Sequence, residues 1–385
     1  MFAPRFFHVS YKYILKPLAF QFDPETVHDA MIRFASSLGQ FPFAQRVLSA
    51  CFAYTNPALE QTIHGIHFAN PVGLSAGFDK NAEIINAIAA VGFGFTEVGS
   101  ITGEPCTGNP KPRLWRLPKS KAIMVWYGLK NDGCVAIAKR LRYTQFPVPV
   151  GTSIARTNDA TTVDIHAGIH DYTKAFRELS NIGAYTTVNI SCPNTCGGEP
   201  FTSPERLEKL LTALDEIPSA KPIFLKLPAD ISFTDADLLV AVARKHRVHG
   251  FVVSNLTKHH HAQTIRQHEI TPAMKGGISG EPTRDLSNAL IAHLFRAVRT
   301  EYVIIGVGGI FSASDAYDKI RHGASLVQLI TGLIFEGPQL VGEINNGLAK
   351  LLIKDGYTNI SNAVGSAVTP LELCQNQCSS SQSVE

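Results

Sequence analysis

A repeated alternation of short apolar segments with helical segments, beginning at about residue 65, constrains the fold of this chain most. The apolar segments are rich in β-branched residues and apolar throughout, as in a parallel sheet buried on both faces. They span residues 71–74, 95–98, 148–153, 186–190, 223–227, 250–254, 303–306 and 326–329. Helical patterns between them include residues 84–91, 172–181, 205–215, 235–246 and 286–298. Eight such units predict an α/β fold, a (β/α)8 TIM barrel. A doubly wound sheet would have fewer units and an early Gly-x-Gly-x-x-Gly motif.

The first 54 residues differ from the rest, because they hold 12 aromatic residues but only three acids. Asp23 followed by Pro24 predicts the start of a helix. Apolar residues at helical spacing continue through residues 27–38, and Gly39 ends the pattern. Residues 43–52 form a second, shorter apolar face. Two interpretations stay open: a helical pair packed on the main domain, or an arm lying on a membrane surface, where aromatic and basic residues are favoured.

The chain therefore divides into a helical arm (residues 1–65), a barrel (66–356) and a C-terminal extension (357–385). The Ser- and Gln-rich end, residues 376–385, is predicted to be disordered. A formal net charge of +3 without a long Lys/Arg block argues against nucleic-acid binding. We expect neither a signal peptide nor a membrane-spanning segment, because charged residues interrupt the N-terminal apolar stretch and no apolar run is long enough.

The cysteine pattern argues against a metal cluster. Seven cysteines without a Cys-x-x-Cys motif favour free thiols in a reducing cytoplasm over a zinc ribbon or an iron–sulfur centre. The run from His259 to His261 is interpreted as a mobile polar loop, since adjacent residues of regular structure cannot all face one ion. Cys374 and Cys378 are interpreted as inert.

Polar residues at the strand ends are the candidates for chemistry, because the active site of such a barrel lies at the carboxyl ends of its strands. Glycine-rich stretches after the seventh and eighth strands could be tight turns, but they favour a phosphate site. Lys226 lies among apolar residues and requires an anion, such as the edge of a reduced flavin. Cys192 could be a buried filler, but its position beside Asn189 and Asn194 favours a reactive role. Asparagines suit a planar imide or amide ligand.

In these motifs the chain resembles the dihydroorotate dehydrogenases, in particular the quinone-dependent class 2. The resemblance covers residues 18–356. Its motifs are Phe-Asp-Pro-Glu at 22–25 with His28, Ala-Gly-Phe-Asp-Lys at 76–80, Gly-Phe-Thr-Glu-Val-Gly-Ser at 94–100, Lys-Pro-Arg-Leu at 111–114, Asn-Ile-Ser-Cys-Pro-Asn at 189–194, Gly-Gly-Ile-Ser-Gly at 276–280 and Ile-Gly-Val-Gly-Gly at 305–309.

The resemblance implies FMN as the cofactor and assigns a role to each strand-end residue. The residues implied to hold FMN are Ala76, Gly77, Lys80, Ser100, Ser153, Asn189, Lys226, Ser254, Gly280, Gly308, Gly309, Ile330 and Thr331. Those implied to hold the pyrimidine are Lys80, Asn189, Asn194 and Asn255. Cys192 falls on the catalytic base, Lys80 would pair with the substrate carboxylate, and Lys226 would stabilise the reduced flavin. No metal is expected.

Three positions depart from the family pattern. Class 2 members usually carry Ser as the base and class 1 members Cys, so Cys192 mixes the two classes. Val125 stands where an Asn would contact the pyrimidine, and Ser153 where an Asn would contact FMN. The aromatic arm is the class 2 feature, and it outweighs the base in choosing the electron acceptor.

The expected activity is FMN-dependent oxidation of (S)-dihydroorotate to orotate, a step of pyrimidine biosynthesis. Ubiquinone or menaquinone would be the acceptor, and the arm would hold the protein peripherally on the cytoplasmic side of the cell membrane. The alternatives are a class 1-like enzyme using fumarate or an NAD-linked partner, a flavin oxidoreductase for another cyclic amide, and a non-catalytic flavin-binding protein at the membrane periphery.

Overall fold

A closed barrel of eight parallel strands, paired in the order of the chain, forms the centre of the computed structural model, which describes residues 7–368. The strands are β1 (Val72–Leu74), β2 (Phe95–Ile101), β3 (Val150–Ile154), β4 (Tyr185–Asn189), β5 (Ile223–Leu227), β6 (Gly250–Val253), β7 (Val303–Val307) and β8 (Leu326–Leu329). The barrel closes where Val327 of β8 pairs with Val72 of β1. The (β/α)8 prediction is confirmed, although β2 continues three residues further than predicted and β3 begins two residues later.

Helices follow the strands around the outside of the barrel and precede it in the arm. They are α1 (Pro24–Gly39), α2 (Pro42–Phe52), α3 (Ile85–Val91), α4 (Cys134–Arg142), α5 (Ile165–Leu179), α6 (Pro204–Asp215), α7 (Phe233–Ala243), α8 (Arg284–Val298), α9 (Ala313–Arg321), α10 (Thr331–Glu336) and α11 (Leu340–Asp355). Short 3-10 turns lie at Pro57–Leu59, Thr161–Val163, Pro200–Thr202, Gln267–Glu269, Glu281–Thr283 and Ile360–Ala363. Side-chain caps begin several helices: Asp164 accepts the Ala167 N–H, and Ser232 accepts the Asp235 N–H.

The amino-terminal end of the barrel is closed by aromatic packing. A hairpin of Gln61–Ile63 and Ile66–Phe68 precedes β1 and brings Phe68 against Phe95, with ring centroids 5.4 Å apart. Buried residues from five other strands complete this cluster, namely Tyr185, Phe224, Val252, Ile305 and Leu326. Because this cluster closes the amino-terminal end, the opposite, carboxyl end of the barrel is the open side.

A three-stranded antiparallel sheet covers part of the open end. Leu114–Leu117 and Ala122–Val125 come from the long connection after β2, and Gly277–Gly280 comes from the connection after β6. The sheet therefore brings two distant loops together over the mouth of the barrel.

The arm begins with two helical turns, Tyr11–Leu15 and Lys16–Ala19, and continues with α1 and α2. The Asp23 carboxylate accepts the Thr26 N–H at 2.8 Å, so the predicted N-cap is confirmed. Only part of the arm packs on the barrel. Ile32 and Phe52 are buried, whereas the side chains of Met31, Phe34 and Phe43 are 50%, 58% and 78% exposed. The arm is thus packed on the barrel along one side and exposed along the other.

No helix described in residues 7–368 is both long enough and apolar enough to cross a membrane, including the turns Tyr11–Leu15 and Lys16–Ala19. At the other end of the chain, Ile360 and Ala363 are buried in the main core, so the first part of the C-terminal extension packs on the barrel. Cys374, Cys378 and the segment predicted to be disordered lie outside the described residues.

Candidate active site

One cavity at the open end of the barrel brings together nearly all the residues predicted from strand ends. Its walls include Ala76, Gly77, Lys80, Ser100, Asn189, Cys192, Asn194, Lys226, Ser254, Asn255, Gly280, Gly308, Gly309, Ile330 and Thr331. These residues come from strand ends around the whole barrel and from the sheet above it. Their convergence follows from the topology, because parallel strands deliver their carboxyl ends to one rim.

Ser153, for which the resemblance implies a contact with FMN, is the exception, because it is not among the residues that line the cavity. The residue is fully buried, and its hydroxyl lies 2.7 Å from the hydroxyl of Ser100. Asn189 donates to the same Ser100 oxygen at 2.9 Å. Ser153 therefore lies behind the wall of the cavity, because its short side chain reaches only to Ser100.

The asparagines of the site organise its loops through hydrogen bonds. The side-chain Oδ1 atom of Asn189 accepts the Ser191 N–H at 3.1 Å and the Ser191 hydroxyl at 2.9 Å. Asn255 donates to the Ser191 carbonyl at 2.7 Å. Asn194 links the loop after β4 to the covering sheet, since it donates to the Val125 carbonyl at 2.9 Å and accepts the Gly277 N–H at 3.2 Å. The buried Ser191 was missed by sequence reasoning, which gave it no role.

Cys192 is half-buried on the cavity wall, in the loop after β4. Desolvation raises the pKa of its thiol to about 11, although the Asn194 N–H and the positive charge of Lys226 act in the opposite direction. The side chain is therefore a protonated thiol at neutral pH in the ligand-free protein.

Lys226 projects from β5 into the barrel and is only 4% exposed. Its ammonium donates to the Ser75 hydroxyl at 3.3 Å, which leaves most of its donor capacity directed at the cavity. Burial lowers the pKa of Lys226 below its usual value, and the negative charge of Glu97 opposes this effect.

Lys80 and Tyr127 form a second cationic position on the wall. The Lys80 ammonium lies 4.2 Å from the centroid of the Tyr127 ring, and burial lowers the pKa of Lys80 to about 8. The Tyr127 hydroxyl is buried and has no hydrogen-bond partner among residues 7–368. Sequence reasoning assigned Tyr127 no contact, because only tertiary packing brings it over Lys80.

The cavity reaches the arm through His28 of α1. The His28 Nε2 atom lies 3.0 Å from the Phe78 carbonyl oxygen. Burial and the nearby charge of Lys80 lower the pKa of His28 to about 4, so the ring is neutral at pH 7. The arm thus contributes a wall residue to the same cavity that contains Lys226.

Glycines shape the rim between β7 and the following loop. Gly308 has φ +114° and Gly309 φ +67°, and a Cβ at Gly309 would lie 2.3 Å from the Arg284 Cβ. Within the described residues, neither glycine N–H donates to another backbone group. The Thr331 hydroxyl lies nearby on the same wall. Free N–H groups on a backbone that excludes side chains are suited to an anion such as a phosphate.

The three consecutive histidines have separate partners. His260 contacts the Gly276 carbonyl at 2.7 Å, His259 lies 3.5 Å from Asp230, and His261 lies 3.1 Å from Gln267. In residues 7–368, no group of His, Cys, Asp and Glu side chains has an arrangement that could hold a metal ion.

In sequence and in fold the chain is similar to one family of known proteins. The family model for dihydroorotate dehydrogenase matches residues 58–352. The dihydroorotate dehydrogenase (quinone) of Natronomonas pharaonis is 40% identical over 352 residues, 91% of this chain and 98% of that protein. The enzyme of the same name from Acidithiobacillus ferrooxidans is 39% identical, covering 92% of this chain and 98% of that protein. The crystal structure of Eimeria tenella DHODH in complex with ferulenol has a TM-score of 0.80 at 27% identity, covering 89% of this chain and 95% of that one.

Proposed function

This chain belongs to the dihydroorotate dehydrogenase family, and from that premise we propose that it oxidises (S)-dihydroorotate to orotate with FMN and passes the electrons to a membrane quinone. The observation that carries the proposal is the meeting of Cys192, Lys80 and Lys226 on one cavity in a relative of quinone-dependent enzymes. Binding a flavin alone would not require a base, so these residues also argue against the non-catalytic alternative.

The cavity fits FMN in two independent ways. The rim at Gly308 and Gly309 offers backbone N–H groups that have no backbone acceptor among residues 7–368, which suits the phosphate. Lys226 offers a buried ammonium whose one hydrogen-bond acceptor in the described part of the chain is the Ser75 hydroxyl, which suits a ring edge that gains negative charge. Bound FMN would supply a ring that accepts a hydride. Further proposed contacts are Ala76, Gly77, Lys80, Ser100, Asn189, Ser254, Gly280, Ile330 and Thr331.

The protein's own groups would do the remaining chemistry. Cys192 as thiolate would remove the proton from C5 of dihydroorotate while the hydride leaves C6. Lys80 would pair with the substrate carboxylate, and Lys226 would stabilise the negative charge of the reduced flavin. The proposed roles of Asn189, Asn194 and Asn255 are to orient the pyrimidine ring through hydrogen bonds.

The acceptor would approach from the arm. His28 and Ile334 line the same cavity as Lys226, which supports a route from the arm to the flavin site. The exposed Phe34 and Phe43 support docking of the arm on a lipid surface, where ubiquinone or menaquinone is dissolved. On this proposal the protein is peripheral, on the cytoplasmic side of the cell membrane.

Cys192 favours a second candidate, a class 1-like enzyme that passes electrons to fumarate or to an NAD-linked partner. The quinone named for the relatives and the exposed arm support the first candidate. The two candidates differ in the molecule that would reoxidise the reduced flavin, so one experiment can separate them.

The test follows the two half-reactions separately. Anaerobic mixing of the purified flavoprotein with dihydroorotate should bleach the flavin absorbance with formation of orotate. The reduced protein is then mixed with a long-chain quinone in detergent or with fumarate. Quinone should restore the flavin absorbance and fumarate should not. Bleaching by another dihydropyrimidine but not by dihydroorotate would overturn the substrate, and reoxidation by fumarate would overturn the acceptor.

A further inference from the structure

A carboxylate that the proposed reaction does not use lies in the barrel interior, on the amino-terminal side of the cavity. Glu97 projects from β2 into the barrel and is fully buried. Its Oε2 atom accepts hydrogen bonds from the Thr187 hydroxyl at 2.9 Å, the Gln328 amide at 3.1 Å and the Tyr185 hydroxyl at 3.3 Å. Its Oε1 atom has no hydrogen-bond partner among the described residues. Three neutral donors on one oxygen compensate only part of the cost of burying a charge.

Lys226, on β5 of the same barrel interior, carries a positive charge that the charge of Glu97 influences. Asn189, two residues beyond Thr187 on β4, pairs in register with Lys226 on β5. Glu97 therefore lies one layer deeper in the barrel than the cavity wall. The charges of Glu97 and Lys226 interact in a low-dielectric interior, where such interactions are strong.

The groups that face the pair come from four elements. Ser75, after β1, accepts from Lys226, and the thiol of Cys192 faces it from the loop after β4. Tyr185, Thr187 and Gln328 are the groups on Glu97, and their side chains are uncharged. Burial lowers the pKa of Lys226, whereas Glu97 is the leading influence that raises it.

We propose that Glu97 is a positioning residue that acts through Lys226: its buried negative charge keeps Lys226 protonated before the flavin is reduced. The inference rests on the proposed function, because it concerns the state of Lys226 beside a bound flavin. Hydride transfer brings two electrons and one proton to a neutral ring, which leaves one negative charge. With Glu97 in place, the ammonium of Lys226 is already present to meet that charge, and no further proton has to be taken up.

The Glu97→Gln variant separates charge from packing, because glutamine has nearly the same shape and retains an oxygen that accepts hydrogen bonds. Without the carboxylate, the leading influence that raises the pKa of Lys226 is lost while burial still lowers it, so we expect a larger share of Lys226 to be the neutral amine in the oxidised enzyme. Reduction of the ring then draws a proton onto Lys226. The variant should therefore bind one proton more per two electrons than the wild type, at pH values between the pKa of Lys226 in the oxidised and reduced enzymes.

The measurement is the midpoint potential of the holoenzyme as a function of pH from 6 to 9, followed by flavin absorbance with reference dyes. We expect a constant slope in the wild type and about twice that slope in Glu97→Gln over part of the range, since proton uptake per electron sets the slope. Tyr185→Phe is the matched control: it removes one hydrogen bond to Glu97 but no charge, and it should keep the wild-type slope. The double variant Glu97→Gln, Lys226→Met should also keep it.

Three outcomes would overturn the inference. They are an unchanged slope in Glu97→Gln, an equal change in Tyr185→Phe, and a doubled slope in the wild type itself, a result that requires no variant to fold. If Glu97→Gln does not fold, Glu97→Asp retains the charge and should keep the wild-type slope. A wild-type protein that binds no flavin would overturn the proposed function instead, so the two failures are distinguishable.

Discussion

Arg113 holds Glu25 in a two-point ion pair that joins the arm to the barrel. The Arg113 Nε atom lies 3.0 Å from Glu25 Oε2, and Nη2 lies 2.8 Å from Oε1. Both side chains are nearly fully buried, and Lys111 and Lys130 approach the same carboxylate at 3.4 and 3.3 Å. Glu25 belongs to α1 and Lys130 lines the cavity, so the pair fixes the arm at the cavity edge.

Glu25→Gln should destabilise the protein by about 3–5 kcal/mol, since removing one partner of a buried ion pair leaves the other charge unpaired. Burial acts to raise the pKa of Glu25, but the hydrogen bonds and charges of Arg113 and Lys130 outweigh it and lower the pKa to about 2. The stabilisation is therefore fully present above the unfolded pKa of about 4.3 and is lost as the pH falls towards 2. Urea unfolding of wild type and variant between pH 2.5 and 7 tests this. The difference between their free energies of unfolding should shrink as the pH falls, and a difference that does not change with pH would contradict the prediction. Glu178→Gln, which breaks an exposed pair with Arg142, is the control and should cost less than about 1 kcal/mol.

Flavin reduction by dihydroorotate should accelerate as the pH rises through the neutral range. In the proposed mechanism the deprotonated form of Cys192 is the active one, and burial raises the pKa of its thiol to about 11. Each pH unit below that value therefore lowers the fraction of Cys192 present as thiolate about tenfold. Stopped-flow bleaching from pH 6 to 9 measures the slope.

Cys192→Ala should retain FMN but slow reduction by a factor on the order of 10²–10⁴. Cys192→Ser should retain partial activity at higher pH, because a hydroxyl ionises less readily than a thiol. Cys196→Ala removes the exposed thiol of the same loop and should change neither rate nor slope. Wild-type rates in Cys192→Ala would remove this residue from the mechanism.

The barrel was predictable from the sequence because each strand is short and apolar on both faces, and the start of α1 because Asp23 and Pro24 supply a local cap. The strand-end residues were predictable because topology brings them to one rim. The position of Ser153 outside the cavity lining was not predictable, since a shift of one residue at the end of β3 decides whether a side chain faces the cavity. Contacts between residues far apart in the chain, such as Arg113 with Glu25, left no local signal.

Tyr127→Phe should raise the KM for dihydroorotate several-fold without destabilising the ligand-free protein. Among residues 7–368 the buried Tyr127 hydroxyl has no hydrogen-bond partner, and the ring lies beside Lys80, the proposed carboxylate site. Removing an unsatisfied hydroxyl has little cost, whereas a lost hydrogen bond to substrate costs roughly 0.5–1.5 kcal/mol. Steady-state kinetics and thermal unfolding measure both effects, with the exposed Tyr143→Phe as the control. An unchanged KM with lower stability would assign Tyr127 a packing role.

Val125→Asn should tighten dihydroorotate binding several-fold. The Val125 side chain lines the cavity, while its backbone is paired with Leu114 and Gly277 in the covering sheet. An amide at this position would therefore face the pyrimidine without disturbing the sheet, and one added hydrogen bond is worth roughly 0.5–1.5 kcal/mol. Titration of the oxidised flavoprotein with orotate measures the change. Val135→Asn, at an exposed site on α4, is the control for the substitution itself. Weaker orotate binding would show that the pocket is adapted to Val.

The exposed aromatic residues of the arm can be substituted to test whether this surface meets lipid. Phe34 and Phe43 are 58% and 78% exposed, so neither contributes much to the core. Phe34→Glu with Phe43→Glu removes apolar area and adds two negative charges on the surface proposed to meet lipid.

Liposome binding and turnover with a long-chain quinone should therefore fall together, because interfacial affinity scales with the apolar area buried in the membrane. Flavin reduction by dihydroorotate should be unchanged, since every residue proposed for that half-reaction lies between Ala76 and Thr331. Ile353→Glu places a charge at a 77% exposed position on α11, outside the arm, and should affect neither measurement. Unchanged liposome binding in the double variant would mean that this face of the arm does not meet the membrane. Slower flavin reduction would mean instead that the substitutions reach the barrel through α1.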